Sequence, residues 1–397
     1  MLDRKTRRQW SFELLAVLLV LGLLFQRSAC WIDLESNLTT ILPTSNNVTS
    51  TCLLYHNQIM LVAIDGSSEN VLVESSLATL DVSSMTLIYL VELPDLHCQS
   101  TLIAISQQSA LLICECLVTT DPVCESYLIE VSVAPSGHMR TLRSLAFQPN
   151  TSFLVFSDFV ALLQKMSVVL MLGRGTSGVQ TVYFLQYTDW NLKIVSQIQK
   201  PDDTFCSAGA VDPNQSYLLL ACKSNTKRNA WVVKYSLEQL LYPPVDQFML
   251  NTSQEIYPFY LNIKDQGFFI SENQSDGSLI YFGFNFGEKW NNDSAANFTD
   301  FNTTMLPQGQ ILFAMQQPFI PDATCLYVLG ASNAKFQSAF ILSQIKLSNS
   351  FKAPMYLLAQ IKLKKVSHIM ASEKYLLVSE TQSFGTTVTR YLVDCRE

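Results

Sequence analysis

Val211–Cys222 reads VDPNQSYLLLAC: a Pro-Asn turn, then six residues, Tyr217–Cys222, without a charged or strongly polar side chain. A strand is apolar at every position only when both of its faces are covered, so this run belongs inside a stack of sheets. Runs of the same kind stand at Gln58–Ile64 (QIMLVAI), Ala110–Cys114 (ALLIC), Ser167–Leu172 (SVVLML), Gly267–Ser271 (GFFIS), Cys325–Leu329 (CLYVL) and Tyr375–Ser379 (YLLVS). Equivalent positions fall at Ile59, Leu111, Val168, Leu218, Phe268, Leu326 and Tyr375, with steps of 52, 57, 50, 50, 58 and 49 residues. A buried strand recurring about every fifty residues is the pattern of an all-β ring of four-stranded sheets. The count predicts a seven-bladed β-propeller, with six or eight blades as the adjacent solutions.

The repeat around Tyr217 shows the expected unit most clearly. Phe205–Val211, Tyr217–Cys222, Ala230–Ser236 and Gln247–Leu250 read as four strands separated by polar or Pro-containing turns. The fifth repeat supplies Tyr257–Ile263, Gly267–Ser271 and Ser278–Phe284, and the sixth Ile311–Ala314, Cys325–Leu329, Ala339–Lys346 and Met355–Ile361. The last repeat supplies only Val366–Met370, Tyr375–Ser379 and Thr387–Val393. A missing strand would leave a free sheet edge, so Ile32–Leu42 is expected to complete that blade and close the ring. A rival phase through Ala146–Phe156 (AFQPNTSFLVF) gives uneven steps, and Pro149 is therefore placed between blades.

At VDPNQSYLLLAC and at Phe319–Ser332 (FIPDATCLYVLGAS) the chain resembles the broad superfamily of YVTN, NHL and WD40-like propeller repeats. The resemblance covers two turns of the seven and implies the fold rather than an activity. The Trp-Asp pair of WD40 blades, the Asp box of sialidases and the Gly-Gly pair of kelch repeats do not occur, and the one Gly-His pair, Gly137-His138, is not repeated.

The chain opens with Arg4, Lys5, Arg7 and Arg8, followed by the apolar run Leu14–Phe25. Twelve helical residues span about 18 Å, against about 30 Å of bilayer core. With Ser28 and Cys30 three and one residues before a cut, residues 1–30 read as a signal peptide and 31–397 as one propeller domain. The alternative is an uncleaved type II anchor, against which Glu13 stands at the edge of the run. The expected product is secreted or held at an extracellular surface, with no direct membrane span after cleavage.

Nine Asn-x-Ser/Thr sequons agree with export: Asn37, Asn47, Asn150, Asn214, Asn251, Asn273, Asn292, Asn297 and Asn302. The last three crowd Phe286–Met305, which reads as a long exposed loop. Cleavage would remove five basic and two acidic residues from a chain of net charge −7, leaving about −10. That balance disfavours nucleic acid and anionic lipid as partners. Lys362, Lys364 and Lys365 read as a solvated strand edge.

Of ten cysteines, nine remain after Cys30 is removed, and an oxidising compartment favours pairing. Residues equidistant from a hairpin turn face each other, which predicts Cys98–Cys114 and Cys206–Cys222, and Cys116–Cys124 around VTTDP. Cys52 with Cys395 would tie the two ends of the ring, leaving Cys325 as a buried thiol or an intermolecular link. Cys114 and Cys116 are too close for a zinc knuckle, and the chain has only four histidines, His56, His97, His138 and His368.

No phosphate loop, Gly-x-Ser-x-Gly elbow or zinc-protease helix is present, and Gly173-Arg174-Gly175 reads as a tight turn. Loops at the rims would present Asp65, Asp95, Arg174, Asp202, Asp203, Lys227, Arg228, Glu272, Asp276, Lys335 and Glu380. Turn chemistry accounts for these residues; their convergence would instead hold Ca²⁺ or Mg²⁺. The expected function is an extracellular module for a protein or glycan partner, without cofactor. The alternatives are a lactonase-like hydrolase with a metal at the channel mouth, and a subunit of a cell-surface complex.

Overall fold

The computed structural model describes residues 31–394 except 45, 66, 69–70, 73, 94–95, 97–98, 116–125, 148–154, 175–179, 198–203, 213, 225–229, 239–244, 251–256, 262–265, 273–278, 286–299, 304–308, 317–323, 333–339, 348–355, 373 and 383–384. The expected signal peptide lies outside the described residues.

Among the described residues the strands form seven antiparallel four-stranded sheets and one two-residue ladder, Ser67–Ser68 with Val71–Leu72. The first sheet holds Val48–Leu54, Ile59–Ile64, Ser75–Asp81 and Thr86–Leu93, in that order. The second holds Gln99–Ala104, Ser109–Glu115, Ser126–Val133 and Met139–Phe147, and the third Val155–Leu163, Val168–Arg174, Gln180–Gln186 and Asn191–Gln197. Thr204–Val211, Tyr217–Ser224, Ala230–Ser236 and Asp246–Leu250 make the fourth; Tyr257–Leu261, Gln266–Glu272, Leu279–Asn285 and Asp300–Thr303 the fifth. Gly309–Gln316, Thr324–Ser332, Phe340–Leu347 and Tyr356–Leu363 make the sixth. The seventh joins the two ends of the chain: Val366–Ala371, Tyr375–Gln382 and Gly385–Asp394 are followed by Trp31–Leu42 as its outer strand. Trp31 stands opposite Asp394 and Leu42 opposite Thr386, with an irregularity between Asp33 and Leu38.

Each apolar run identified above is the second strand of its sheet. Side chains alternate between two neighbours, which is why the run has no polar gap. In Ile59–Ile64, all six residues are buried; Ile59, Leu61 and Ala63 pack against the second sheet, and Met60, Val62 and Ile64 against the seventh. The outer strand Thr86–Leu93 has no such double cover, and its residues alternate between exposed and half-buried over most of its length. The cores therefore lie in the seams between sheets.

The innermost strands close a ring. Val48–Leu54 touches both Gln99–Ala104 and Val366–Ala371, and the chain of contacts continues through Val155–Leu163, Thr204–Val211 and Tyr257–Leu261; from the fifth sheet it passes by Gln266–Glu272 to Gly309–Gln316. Gly309–Gln316 touches Val366–Ala371, which completes the circuit. The fold is an all-β propeller, and the described residues contain no α-helix. None of the helices among them is long and apolar enough to cross a membrane.

One expectation is corrected. The segment Phe286–Met305 is not loop throughout, because Asp300–Thr303 pairs with Leu279–Phe282 as an outer strand, with Asn302 opposite Ile280. An outer strand has one covered face at most, so its sequence remains polar and reads as loop.

Candidate functional site

Among the described residues, several first–second and third–fourth hairpin turns of the first four sheets emerge on one face of the ring. They are built on residues in the left-handed region: Tyr55, His56 and Asn57 at φ of 50°, 53° and 69°, Met85 at 53°, Gly137 at 82°, Ser167 at 53°, Trp190 at 59° and Gln215 at 55°. Left-handed residues let short hairpin turns follow the strand twist, at some conformational cost in non-glycine residues. The run Tyr55–Asn57 is held against the second sheet. The Tyr55 amide donates to the Gln107 carbonyl at 2.9 Å, the Tyr55 hydroxyl donates to the Val133 carbonyl at 2.6 Å, and the Gln107 amide nitrogen lies 3.3 Å from His56 Nδ1.

Where the first and seventh sheets meet, this face opens into a cavity of about 630 Å³ lined by His56, Asn57, Gln58, Asp81, Ser83, Lys374 and Tyr375. Three turns contribute. The Val82 amide donates to the Gln58 carbonyl at 2.9 Å, tying the two turns of the first sheet together. Asp81 Oδ1 accepts from Ser83 Oγ at 2.5 Å, the Ser84 amide at 2.8 Å and Ser84 Oγ at 3.0 Å. The Ser83 hydroxyl first, then the Ser84 backbone, hold the Asp81 carboxyl below the usual carboxylate range. On the seventh sheet Ser372 Oγ accepts from the Tyr375 amide at 3.0 Å, and the Val393 amide donates to the Lys374 carbonyl at 3.0 Å.

Arg390 joins the two walls. Opposite Leu377 and Leu38 in the seventh sheet and 7% exposed, it donates from one terminal nitrogen to the carbonyls of Val82 and Ser83, the latter at 2.9 Å. Its guanidinium carbon lies 5.1 Å from the centre of the Tyr375 ring, within cation–π range. The cavity thus sits on a fixed scaffold and presents a cation, a carboxylate, two amides, an imidazole, a hydroxyl and a phenol.

Sequence reasoning did not assemble this site. Its residues come from positions 56–58, 81–83 and 374–375, and although the repeat count predicts that the two ends of the chain meet, no spacing says which side chains that seam brings together. The polar tetrapeptide Tyr55–Gln58 between two apolar strands was the available signal.

The expected site residues fall as follows. Asn37, on the outer strand of the seventh sheet, Asn47, just before the first sheet, and Asn214, in a turn of the fourth, are exposed. Asn47 Oδ1 accepts from Thr381 Oγ1 at 2.5 Å, and the Asn214 carbonyl accepts from Lys165 Nζ at 2.8 Å. Asn150, Asn251, Asn273, Asn292 and Asn297 lie outside the described residues, as do Cys98, Cys116 and Cys124.

Cys206 and Cys222 stand directly opposite each other and form a disulfide. In the second sheet the register places Ser100, not Cys98, opposite Cys114, because the hairpin centres one residue later than Ser106 and Gln107 suggested. Cys114 is nonetheless disulfide-bonded. The Cys98–Cys114 pair itself involves a residue outside the described ones; two other expectations are corrected: Cys52 is a free, buried thiol rather than a partner of Cys395, and Cys325 is disulfide-bonded rather than free. Burial pushes the Cys52 thiol up to about 12.

Of the rim residues, Asp65 is buried and its amide donates to the Asn47 carbonyl at 2.8 Å, while Glu380 Oε1 accepts from the Lys364 amide at 2.8 Å. Arg174 and Glu272 end strands, and Asp95, Asp202, Asp203, Lys227, Arg228, Asp276 and Lys335 lie outside the described residues. Among the described residues no group of three or more His, Cys, Asp or Glu side chains is placed to hold a metal ion.

No protein-family model matches the chain, and no curated protein matches it in sequence. Solved structures do match in shape. Sqt1 from Chaetomium thermophilum, bound to the N-terminus of the ribosomal protein L10, is 11% identical with a TM-score of 0.54 over 89% of this chain and 97% of that one. The periplasmic gluconolactonase PpgL of Pseudomonas aeruginosa is 12% identical with a TM-score of 0.54, over 80% and 88%. A polysaccharide lyase, ulvan lyase bound to -[GlcA(1-4)Rha3S]-, is 9% identical with a TM-score of 0.55, over 90% and 96%. Identities this low carry the architecture and nothing finer: the chain has the fold of a β-propeller.

Proposed function

We propose that the protein is a secreted, glycosylated, disulfide-stabilised propeller, each of its seven four-stranded sheets a blade, that works as an extracellular binding module for a protein or glycan. The observation that carries this reading is the open polar cavity between the first and seventh sheets, whose walls are joined by Arg390 and each braced by backbone hydrogen bonds of its own. A cavity fixed before the ligand arrives loses little affinity to ordering. The Cys206–Cys222 disulfide and the exposed sequon residues Asn37, Asn47 and Asn214 support export. Propellers of this shape include one holding a peptide terminus and one holding a polysaccharide, both compatible with such a module.

The test is expression of the full chain in secreting cells. The protein is expected in the medium without residues 1–30 and with a mass that falls on enzymatic removal of N-glycans. The purified protein is expected to bind an extracellular-matrix preparation saturably, and the double variant Asp81→Asn, Lys374→Glu, which keeps the Oδ1 acceptor of the turn, to lose that binding with little change in its melting curve. Retention of an unglycosylated chain inside the cell, or equal binding by the double variant, refutes the proposal.

A further inference from the structure

We infer that the cavity between the first and seventh sheets reads a neutral oligosaccharide, a step that rests on its being the binding site. Asp81 and Lys374 are the carboxylate and the ammonium of the lining, and their formal charges cancel. Behind them the Arg390 guanidinium is engaged by the Val82 and Ser83 carbonyls and the Tyr375 ring, so the groups that reach the cavity itself give no strong attraction to phosphate or to a polycation. The bonds from Ser83 Oγ, the Ser84 amide and Ser84 Oγ fall on Oδ1, so that Oδ2 has capacity to accept from a ligand hydroxyl beside the weaker Ser83 backbone interaction. The amides of Asn57 and Gln58 each offer a donor and an acceptor in one plane, as the neighbouring hydroxyls of a sugar ring require. Arg390, on the ring of Tyr375, fixes the one phenol ring in the lining. The volume, about 630 Å³, falls among those of small-molecule sites.

A protein partner is less well served. Protein interfaces take most of their energy from several buried aromatic or aliphatic anchors, and this lining offers one phenol, one imidazole and no aliphatic side chain. The apolar side chains near the seam stand on its outer side: Leu38 and Leu392 in the seventh sheet, Leu87 and Leu90 in the outer strand of the first. Exposed Asn37 adjoins Leu38 there, so a glycan on its sequon would screen that wall. The other described turn-face sequon, Asn214, belongs to the fourth sheet, across the ring, and leaves the mouth of the cavity clear.

The experiment is saturation-transfer NMR and calorimetry on the secreted full chain with chitotriose, N-acetyllactosamine and mannotriose, and with glucose 6-phosphate as the anionic comparison. At least one neutral sugar is expected to bind in preference to the phosphate. Its affinity is expected to fall about tenfold in Asp81→Asn, which keeps the Oδ1 acceptor of the turn, and in Asn57→Ala. A neutral sugar that binds both variants as it binds the parent overturns the inference, because its site is then elsewhere. Matrix binding without binding of any probe overturns the sugar reading and leaves the module standing. Failure of both overturns both.

Discussion

Arg390→Met should loosen the ring at one seam. Arg390 is almost wholly buried and spans from the seventh sheet to the turn of the first, so its loss removes two hydrogen bonds from a charged donor and one cation–π contact. A hydrogen bond from a charged group is worth about 1.5–3 kcal/mol. Val82 is buried and its carbonyl would be left without a donor, whereas Ser83 is exposed and water can replace the lost bond. The contact with Tyr375 adds about 1 kcal/mol. Against this, Arg390 Nε is buried without a partner, and methionine relieves that cost. The net loss is about 2–3 kcal/mol. At roughly 2 cal/mol/K per residue for the entropy of unfolding, a chain of this size loses about 3 °C in Tm. Arg390→Lys, which keeps the charge but not the planar fork, should lose roughly half as much. Calorimetry gives Tm, and hydrogen exchange locates the effect: Trp31–Leu42 and Thr86–Leu93 should exchange faster while the fourth sheet is unchanged. An unaltered Tm, or acceleration spread evenly around the ring, would refute the role assigned to Arg390.

Three further outcomes are expected. Cys52 should resist iodoacetamide at pH 8 in the native protein and react once the chain is unfolded, as peptide mass mapping would show; native labelling would contradict its burial. His368 has a buried Nε2 without a partner, and burial lowers its pKa to about 4, below the unfolded value of about 6.5. The unfolded chain therefore takes up the proton first as pH falls, so this contribution is whole above about pH 6.5 and drains away toward pH 4, by at most about 3 kcal/mol; His368→Leu should flatten that part of a Tm–pH curve. Gly385 has φ of 152°, and an added Cβ would lie 2.8 Å from the Leu42 carbonyl oxygen, so Gly385→Ala should lower Tm and increase aggregation, with light scattering as the readout.

The second strands were legible because each is covered on both sides, and a fully covered strand writes an unbroken apolar run. The outer strands were harder to read for the converse reason: Asp300–Thr303 sits among asparagines and threonines because little of it needs to be dry. Hairpin pairing was recoverable to within a residue. Cys206 and Cys222 lie symmetrically about their turn, while Gln107 and Gln108 shift the centre of the preceding sheet's hairpin and place Ser100 opposite Cys114. The cavity was not legible. Arg390 meets Val82 and Ser83 only because the ring closes, and a contact between residues 308 apart leaves no local pattern.

Because Trp31–Leu42 pairs with Gly385–Asp394, this early strand must wait on the ribosome until its distant partner has been made. At about 5–20 residues per second, that delay is roughly 20–70 seconds. Throughout it, an apolar-bearing strand has no partner of its own, and the six sheets between can assemble into an open arc with a raw edge at each end. Chain closure is thus the closing act of biogenesis, and an arrested or truncated chain would present two adhesive ends to its neighbours. The cell's handling of nascent chains, rather than the strength of the finished ring, then sets how much protein is delivered.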